Sequence, residues 1–548
     1  MRAELVVVPV LLPLLAAGLM LWAGEGRRRL KALVNLVSTS LTLAASVALL
    51  AWVSQQDAAA AFGIYLPGNW PVPFGIVLVA DHLSALMTVL TGTLGLATLL
   101  YALARWQHAG VHFHVLFQLQ LMGLYGAFLT ADLFNLFVFF EVLLAASYGL
   151  LLHGGGNARV KAGLHYIAIN LMASLLFLIG VAVLYGVTGT LNMADIAQKL
   201  EAVPSSDRGL LHAGAAILAV AFLAKAGLWP LNFWLPGAYA AASAPVAGLF
   251  AILTKVGVYA LLRLWTLCFP EAAGASAHFG SGALIWGGLA TLAFGAIGML
   301  ASQQLARLAA YSVIASSGTL IAAIGFDAPQ LSTGALYYLV SSTLAGGAMF
   351  MLVELLERSR QVEVGPQQID DGQDRLPAFF DGAGHRPPPG VNLDDNEDAL
   401  IGRAIPGALA FLGVTFGVCA GVVAGLPPFS GFVAKFAMLQ ALLHQGSTPA
   451  WTLFGLVIVS GLLAATALVR VGIRHFWGAS ERTSPTLRVV ETLPIGALLA
   501  ATVMLVVWGE PALRYARDTA EALHTPDRYI QAVMSARPLP SPASGGQP

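Results

Sequence analysis

Charge is scarce in this chain. Asp, Glu, Lys and Arg make up 10% of its 548 residues, and acids and bases balance to no net charge, so neither nucleic acid nor an acidic soluble partner is indicated. Cysteine is scarcer still. Cys268 and Cys419 stand alone in apolar runs with no CxxC or CxxH companion, which excludes iron–sulfur, zinc and c-type haem sites. There is no glycine-rich nucleotide loop, no metal-ligand cluster and no nucleophile arrangement, so no cofactor and no metal are expected. What fills the composition is apolar: 57% hydrophobic residues and a mean hydropathy of +0.77, more than a soluble fold can bury. The chain reads as an all-α polytopic membrane protein.

Apolar runs of about 20 residues, the length that crosses about 30 Å of hydrocarbon, recur about 14 times. They fall near 5–22, 30–53, 76–104, 113–130, 133–152, 163–187, 211–233, 245–269, 283–303, 308–326, 332–356, 406–444, 451–476 and 491–510. The first is read as a retained helix, because its basic cluster follows the run where a signal peptide carries it in front. The positive-inside rule places both termini outside, since Arg27, Arg28, Arg29, Lys31, Arg105, Arg159, Lys161, Arg307, Arg470 and Arg474 then lie in cytoplasmic loops. Residues 357–403 break the apolar pattern with Pro387, Pro388 and Pro389 and the acids Asp394, Asp395, Glu397 and Asp398, and are expected to form a mobile cytoplasmic loop. A short amphipathic stretch reaches to about residue 536, before a flexible end and with no long lateral helix.

Four charges stand inside these spans: Glu141, Lys225, Lys255 and Lys435. A charge near the bilayer centre costs roughly 2.5 kcal/mol on insertion scales, so proton or cation movement is the first use to consider. Glu141, in FNLFVFFEVLLAASYGL, is too deep to reach solvent and needs a cationic partner; Lys225 is the natural one. An amine and a carboxylate that share a dry site set each other's hold on a proton, so moving one switches the other. Lys255, in FAILTKVGVYALL, is the next station, and Lys435 the one nearest an exit. Tyr311, Ser316, Ser317, Tyr337 and Ser341 lie on the tenth and eleventh spans, either lining a wet path between Lys255 and Lys435 or serving as helix contacts. Arg263 is expected to snorkel from its helix end to the interface. Asp81, Asp132 and Glu354 read as caps or hydrated ends, and His82, His165, His212 and His444 as hydrated boundary histidines.

Two spans are interrupted. The seventh reads AFLAKAGLWPLNFWLPGAY, with Lys225 just before Gly227 and Pro230; the twelfth reads GLPPFSGFVAKFAML, with Lys435 after Pro427, Pro428 and Gly431. Proline removes a donor and clashes with the preceding turn, so each break frees carbonyls at membrane depth. Breaks five spans apart indicate an internal repeat. The expected organisation is then three N-terminal helices in 1–112, a first repeat in 113–269, a second in 283–476 that contains the 357–403 loop, a last span at 491–510 and a tail at 511–548.

TADLFNLFVFFEVLLAASYGL, LYGVTGTLNMADIA, KAGLWPLNFWLPGAYAAASAPVAGLFAILTKVGVYALLR and GLPPFSGFVAKF together resemble the D subunit of the multisubunit cation/proton antiporters called Mrp, Mnh or Pha. The wider superfamily includes antiporter-like subunits of respiratory complex I and membrane-bound hydrogenases. The resemblance implies a fourteen-helix fold with inverted five-helix repeats, Glu141 and Lys225 as a functional pair, and Lys255 and Lys435 as the lysines of the eighth and twelfth helices. It departs at AYSVIASSG, where many dehydrogenase relatives carry a histidine and this chain has Ser316, so ordered water has to serve there.

The expected function is that of the proton-translocating D subunit of an Na+(K+)/H+ antiporter in a bacterial inner membrane, not an enzyme, working with sister subunits of the A, B, C, E, F and G types. The alternative is a proton-pumping subunit of a complex I-type NADH:quinone dehydrogenase or membrane-bound hydrogenase, driven by redox chemistry in a neighbour.

Overall fold

The computed structural model describes residues 3–24, 26–56, 61–110, 112–361, 406–476 and 487–539. The loop expected at 357–403 lies outside the described residues from 362 onward, as does the end of the tail from 540.

Helices occupy the apolar runs. Val8–Trp22 (α1) and Arg28–Ser54 (α2) lead to a small antiparallel ribbon, Gly63–Tyr65 (β1) against Leu78–Ala80 (β2), and then to His82–Ala104 (α3). Phe113–Leu129 (α4), Leu133–Leu151 (α5), Asn157–Thr188 (α6), the short Met193–Leu200 (α7), Ser205–Ala226 (α8), Trp234–Ala241 (α9) and Ala244–Cys268 (α10) follow. Next come Ser281–Ala301 (α11), Leu305–Gly325 (α12), Pro329–Gln361 (α13), Pro406–Ala424 (α14), Ser430–Gln445 (α15), Thr448–Phe476 (α16) and Val489–Val507 (α17). Two amphipathic helices close the described chain, Gly509–Leu523 (α18) and Pro526–Met534 (α19). Among the described residues 12 helices are long and apolar enough to cross a membrane, and α1 and α4 are shorter apolar helices. The chain is a multi-pass membrane protein.

The helix that carries Lys255 is the most enclosed: 94% of the apolar window of α10 is buried, against 33% for α17 at the rim. α10 packs on α3, α8, α12 and α13, and α13 in turn meets α14, α15, α17 and α18. Small residues permit the closest approaches. A Cβ at Gly288 of α11 or Gly318 of α12 strikes the facing backbone, as helix pairs joined by van der Waals contact in lipid require.

Helix starts follow the expected caps. Asp81 accepts from Ser84 N at 2.9 Å while Ser84 Oγ accepts from Asp81 N at 2.8 Å, and Asp132 accepts from Asn135 N at 2.8 Å. Such caps contribute about 1 kcal/mol each.

Both interruptions are real breaks with one construction. α8 ends on Gly227 at φ +78°, and Leu228 N donates back to Leu223 O at 2.9 Å; α14 ends on Gly425 at φ +77°, and Leu426 N donates back to Gly421 O at 2.9 Å. That left-handed turn is free of strain only for glycine, and the prolines beyond it prevent the first helix from resuming. The chain restarts as α9 and α15. Residues 406–444 thus form two shorter helices instead of one kinked helix, which resolves the length of that run.

Three charged residues sit otherwise than expected. Arg263 does not snorkel: its guanidinium grips Asp81 with two contacts of 2.6 and 2.8 Å, both side chains under 10% exposed, beneath the rings of Tyr259 and Tyr529. A fork-to-fork pair satisfies both charges inside the protein, so the interface is not needed. Glu354 is not simply hydrated; it accepts from Trp106 Nε1 and Arg358 at 2.8 Å each, and Arg358 also reaches Glu491 at 2.8 Å. Lys31, expected in a loop, lies in the first turn of α2 and is buried.

Candidate functional site

Lys225 sits in the last turn of α8, where Gly227 ends the helix. Its ammonium lies 5.1 Å from the centre of the Phe140 ring, a cation–π distance, and Glu141, the next residue of α5, is the acid whose charge reaches it. No ion pair joins the two among the described residues. Glu141 Oε1 is buried without a hydrogen-bond partner, an acceptor that water or a side-chain swing has to satisfy. Beside Lys225 is a cavity of about 20 Å³, room for a water, lined by Tyr166, Asn170, Trp234, Leu253 and Val256 among others.

Lys255 faces a different cavity across α10. Its Nζ donates to Ser316 Oγ at 2.8 Å, and Ser316 lies 3.0 Å from Ser342 Oγ. This second cavity, also about 20 Å³, is bounded by Ser312, Ser341, Val422 and Val423 as well as Lys255 and Ser316. Ser341 Oγ lies 2.8 Å from Ser430 Oγ at the start of α15. Lys435, one turn further along α15, donates to Val423 O at 3.2 Å and Ala424 O at 2.9 Å, carbonyls that the break of α14 leaves without helical donors. Gly431 makes this possible, because a Cβ there collides with Val422 O. Lys255 and the serines of α12 and α13 thus line one small polar space, and Lys435 bonds the carbonyl of Val423, one of the residues that bound it.

The other predicted path residues are placed elsewhere. Tyr337 donates to Leu505 O on α17 at 2.7 Å, and the Tyr311 ring packs against Phe294. Ser317 is fully buried and its hydroxyl has no partner. Pro230 and the pair Pro427 and Pro428 follow the two glycine turns. Sequence reading missed Ser430, Tyr166, Asn170 and Asn232. The polar pair Tyr166 and Asn170, four apart in an apolar helix, was the available signal; Asn232 lay in plain view inside the seventh-span motif, where its buried amide nitrogen is unpartnered.

A multi-pass bundle with lysines at two helix breaks and on its core helix, two of them beside water-sized cavities, is the architecture of an antiporter-like membrane protein. Residues 130–371 match the family described as NADH:quinone oxidoreductase/Mrp antiporter, TM. The chain is 50% identical to the D subunit of a probable K(+)/H(+) antiporter of Rhizobium meliloti (strain 1021), over 99% of each chain. It is 33% identical to the D subunit of an Na(+)/H(+) antiporter of Bacillus subtilis (strain 168), over 96% of this chain and 99% of the other. Its fold superposes on a chain of the Mrp complex from Dietzia sp. DQ12-45-1b with a TM-score of 0.81 at 26% identity, covering 98% of this chain and 100% of that one. The chain belongs to the family of antiporter D subunits.

Proposed function

We propose that this protein is the proton-translocating D subunit of a multisubunit Na+(K+)/H+ antiporter in a bacterial inner membrane, exchanging cytoplasmic monovalent cation for external protons. In this reading the chain crosses the membrane about 14 times, with both termini outside, its basic loops in the cytoplasm and two inverted repeats centred on the broken helices. Its partners are subunits of the A, B, C, E, F and G types, the transported ions and lipid.

Glu141 and Lys225 form the switching pair: a proton arriving at the amine alters the field on the carboxylate, one of whose oxygens no hydrogen bond holds in place. Lys255 relays charge through Ser316 and Ser342, and Lys435 receives it beside the carbonyls of the second break. Serine holds no proton near neutral pH, so water in the cavity carries it between the lysines. The observation that supports the reading is the small polar space beside Lys255, bounded by Val423, whose carbonyl accepts from Lys435.

The test is cation-driven pH change in everted vesicles from cells that express the whole complex. Flux on addition of Na+ or K+ without an electron donor supports the antiporter; flux that requires a donor overturns it.

A further inference from the structure

The carboxylate of Asp327, in the turn between α12 and α13, stands between two imidazoles from distant parts of the chain. His524 Nδ1, at the end of α18, lies 3.1 Å from its Oδ1, and His278 Nδ1, in the turn before α11, lies 3.2 Å from its Oδ2. The other nitrogen of the His524 ring, Nε2, lies 3.0 Å from Ser332 Oγ in the first turn of α13. A carboxylate only accepts, so Nδ1 of His524 carries a hydrogen. Nε2 is free to change, because a hydroxyl both donates and accepts: Ser332 donates to the neutral ring and accepts from the charged one. His524 therefore takes up or releases its second proton without losing a bond, and its partial exposure at a helix end lets water reach it directly. Asp, His and Ser in this order also make a hydrolase triad, but Ser332 is 4% exposed, too enclosed for a substrate carbonyl to reach.

The charge in contact with the ring is anionic and favours the proton. His278 competes for the same carboxylate, but its side chain is 47% exposed and solvent screens it. Of the elements packed on α18, α13 and α17 bring no charged residue to this end, α3 brings His82, α10 brings Arg263 already paired with Asp81, and α19 brings Asp527 and Arg528. α18 itself carries Arg517, Asp518, Glu521 and the pair of Glu510 with Arg514, and the turn of His278 carries Glu271.

What His524 fastens gives the proton a consequence. α18 packs on α3, α10 and α13 at the ends opposite the basic loops, and α19 packs on α7. Tyr515 donates to His82 O at 2.8 Å, the Tyr529 ring centre lies 5.0 Å from the Arg263 guanidinium, and Asn69 exchanges two hydrogen bonds with Leu539. One proton turns the tie through His524 from a neutral hydrogen bond into a charge-assisted one.

We propose that His524, Asp327 and Ser332 form a proton-binding latch that holds the C-terminal helices α18 and α19 on the bundle. Hydronium protonates Nε2 and leaves as water, which tightens the latch; return of that proton to water loosens it. A base that gains an anionic partner on docking stabilises the docked state in acid, and that contribution is lost as pH rises. The latch stands without the proposed function; only its bearing on flux rests on that reading.

Hydrogen exchange of the assembled complex in lipid, read by mass spectrometry over residues 509–539 and corrected for the intrinsic pH dependence of exchange, tests the latch. Protection of α18 and α19 should be about fivefold higher at about pH 5.5 than at about pH 8.5, the interval over which histidine changes charge. D327N tolerates the left-handed backbone at φ +48° and still accepts a hydrogen bond, so the helices stay docked while the ion pair is lost. In D327N and in H524Q the pH dependence should vanish, with protection near the alkaline wild-type level, and in H278Q most of it should remain. Equal protection at both pH values in the wild type overturns the proposal, whatever the variants do. So does a pH dependence that survives both D327N and H524Q, or one lost with H278Q alone. Should the wild-type complex show no cation-driven flux, the proposed function falls, and the exchange measurement still decides the latch.

Discussion

The two broken helices share a backbone design and differ in what surrounds the lysine. Gly227 and Gly425 turn the chain at nearly the same φ, and each is followed by a residue whose N–H bonds five positions back. At the first break the amine lies over the Phe140 ring with the Glu141 carboxylate in range and a water-sized cavity at its side. At the second the amine is bonded to two carbonyls of the break itself, and its surroundings hold hydroxyls but no acid among the described residues. A charge that can move beside an amine makes a switch, while fixed carbonyl dipoles make a seat. The two breaks therefore share one backbone design, and local chemistry sets them apart.

The largest effect is expected at the switch. Lys225→Ala should lower cation-driven proton flux on the order of 100-fold or more, because it removes the amine whose charge the Glu141 carboxylate answers. Glu141→Gln, which keeps size but not charge, should fall nearly as far. The measurement is vesicle flux normalised to assembled complex. Normal flux in either variant would remove the distinction between the breaks and the assignment of the pair.

At the seat the loss should be smaller. Lys435→Ala frees the carbonyls of Val423 and Ala424, which can bond water in the adjoining cavity, and Gly425 still terminates α14. A loss of about tenfold is expected, the scale of one relay member where water substitutes in part. A loss as deep as that of Lys225→Ala would show that the two breaks act alike.

How far the sequence could carry this comparison depended on whether a signal is local. Lysine beside glycine and proline is written in neighbouring letters, so both breaks and all four charges within the apolar helices were legible, as were the caps at Asp81 and Asp132. Pairings between distant elements were not. Nothing around Arg263 announces Asp81, 182 positions away, and a helix-end arginine with no visible partner is naturally assigned to the interface. Lys31 misled for a related reason: three arginines before it mark a loop, and only the packing of α2 shows that the helix begins early enough to bury it. The prolines announced freed carbonyls at the second break, but that Val423 and Ala424 offer theirs to Lys435 depends on how α15 folds back on α14, which no side-chain pattern encodes.

Between the breaks, Ser316→Ala removes the hydroxyl that accepts from Lys255 and touches Ser342. A hydrogen bond to a charged group is worth roughly 1.5 to 3 kcal/mol, but a water in the cavity can take over part of it, so flux should fall only severalfold. Ser341→Ala, which loses a neutral bond to Ser430, should fall less. If Ser341→Ala proved the more damaging, charge would reach Lys435 through the α13–α15 contact without first passing Ser316.

The smallest effect separates the path from its scaffold. Tyr337 is on the same helix as Ser341, one turn away, and sequence reasoning grouped them, yet its hydroxyl donates to Leu505 O on α17 and turns from the cavity. Tyr337→Phe should leave flux within about twofold of wild type while lowering stability by about 1 kcal/mol, the net worth of one neutral hydrogen bond. Flux and the thermal midpoint of the purified complex, measured together, read the two effects apart. A loss of flux with an unchanged midpoint would put Tyr337 on the path and require the polar space to extend past α13 to α17. Its confinement between α10, α12, α13 and α14 is what allows the second break to act as a fixed seat, so this variant tests the boundary on which the contrast between the breaks depends.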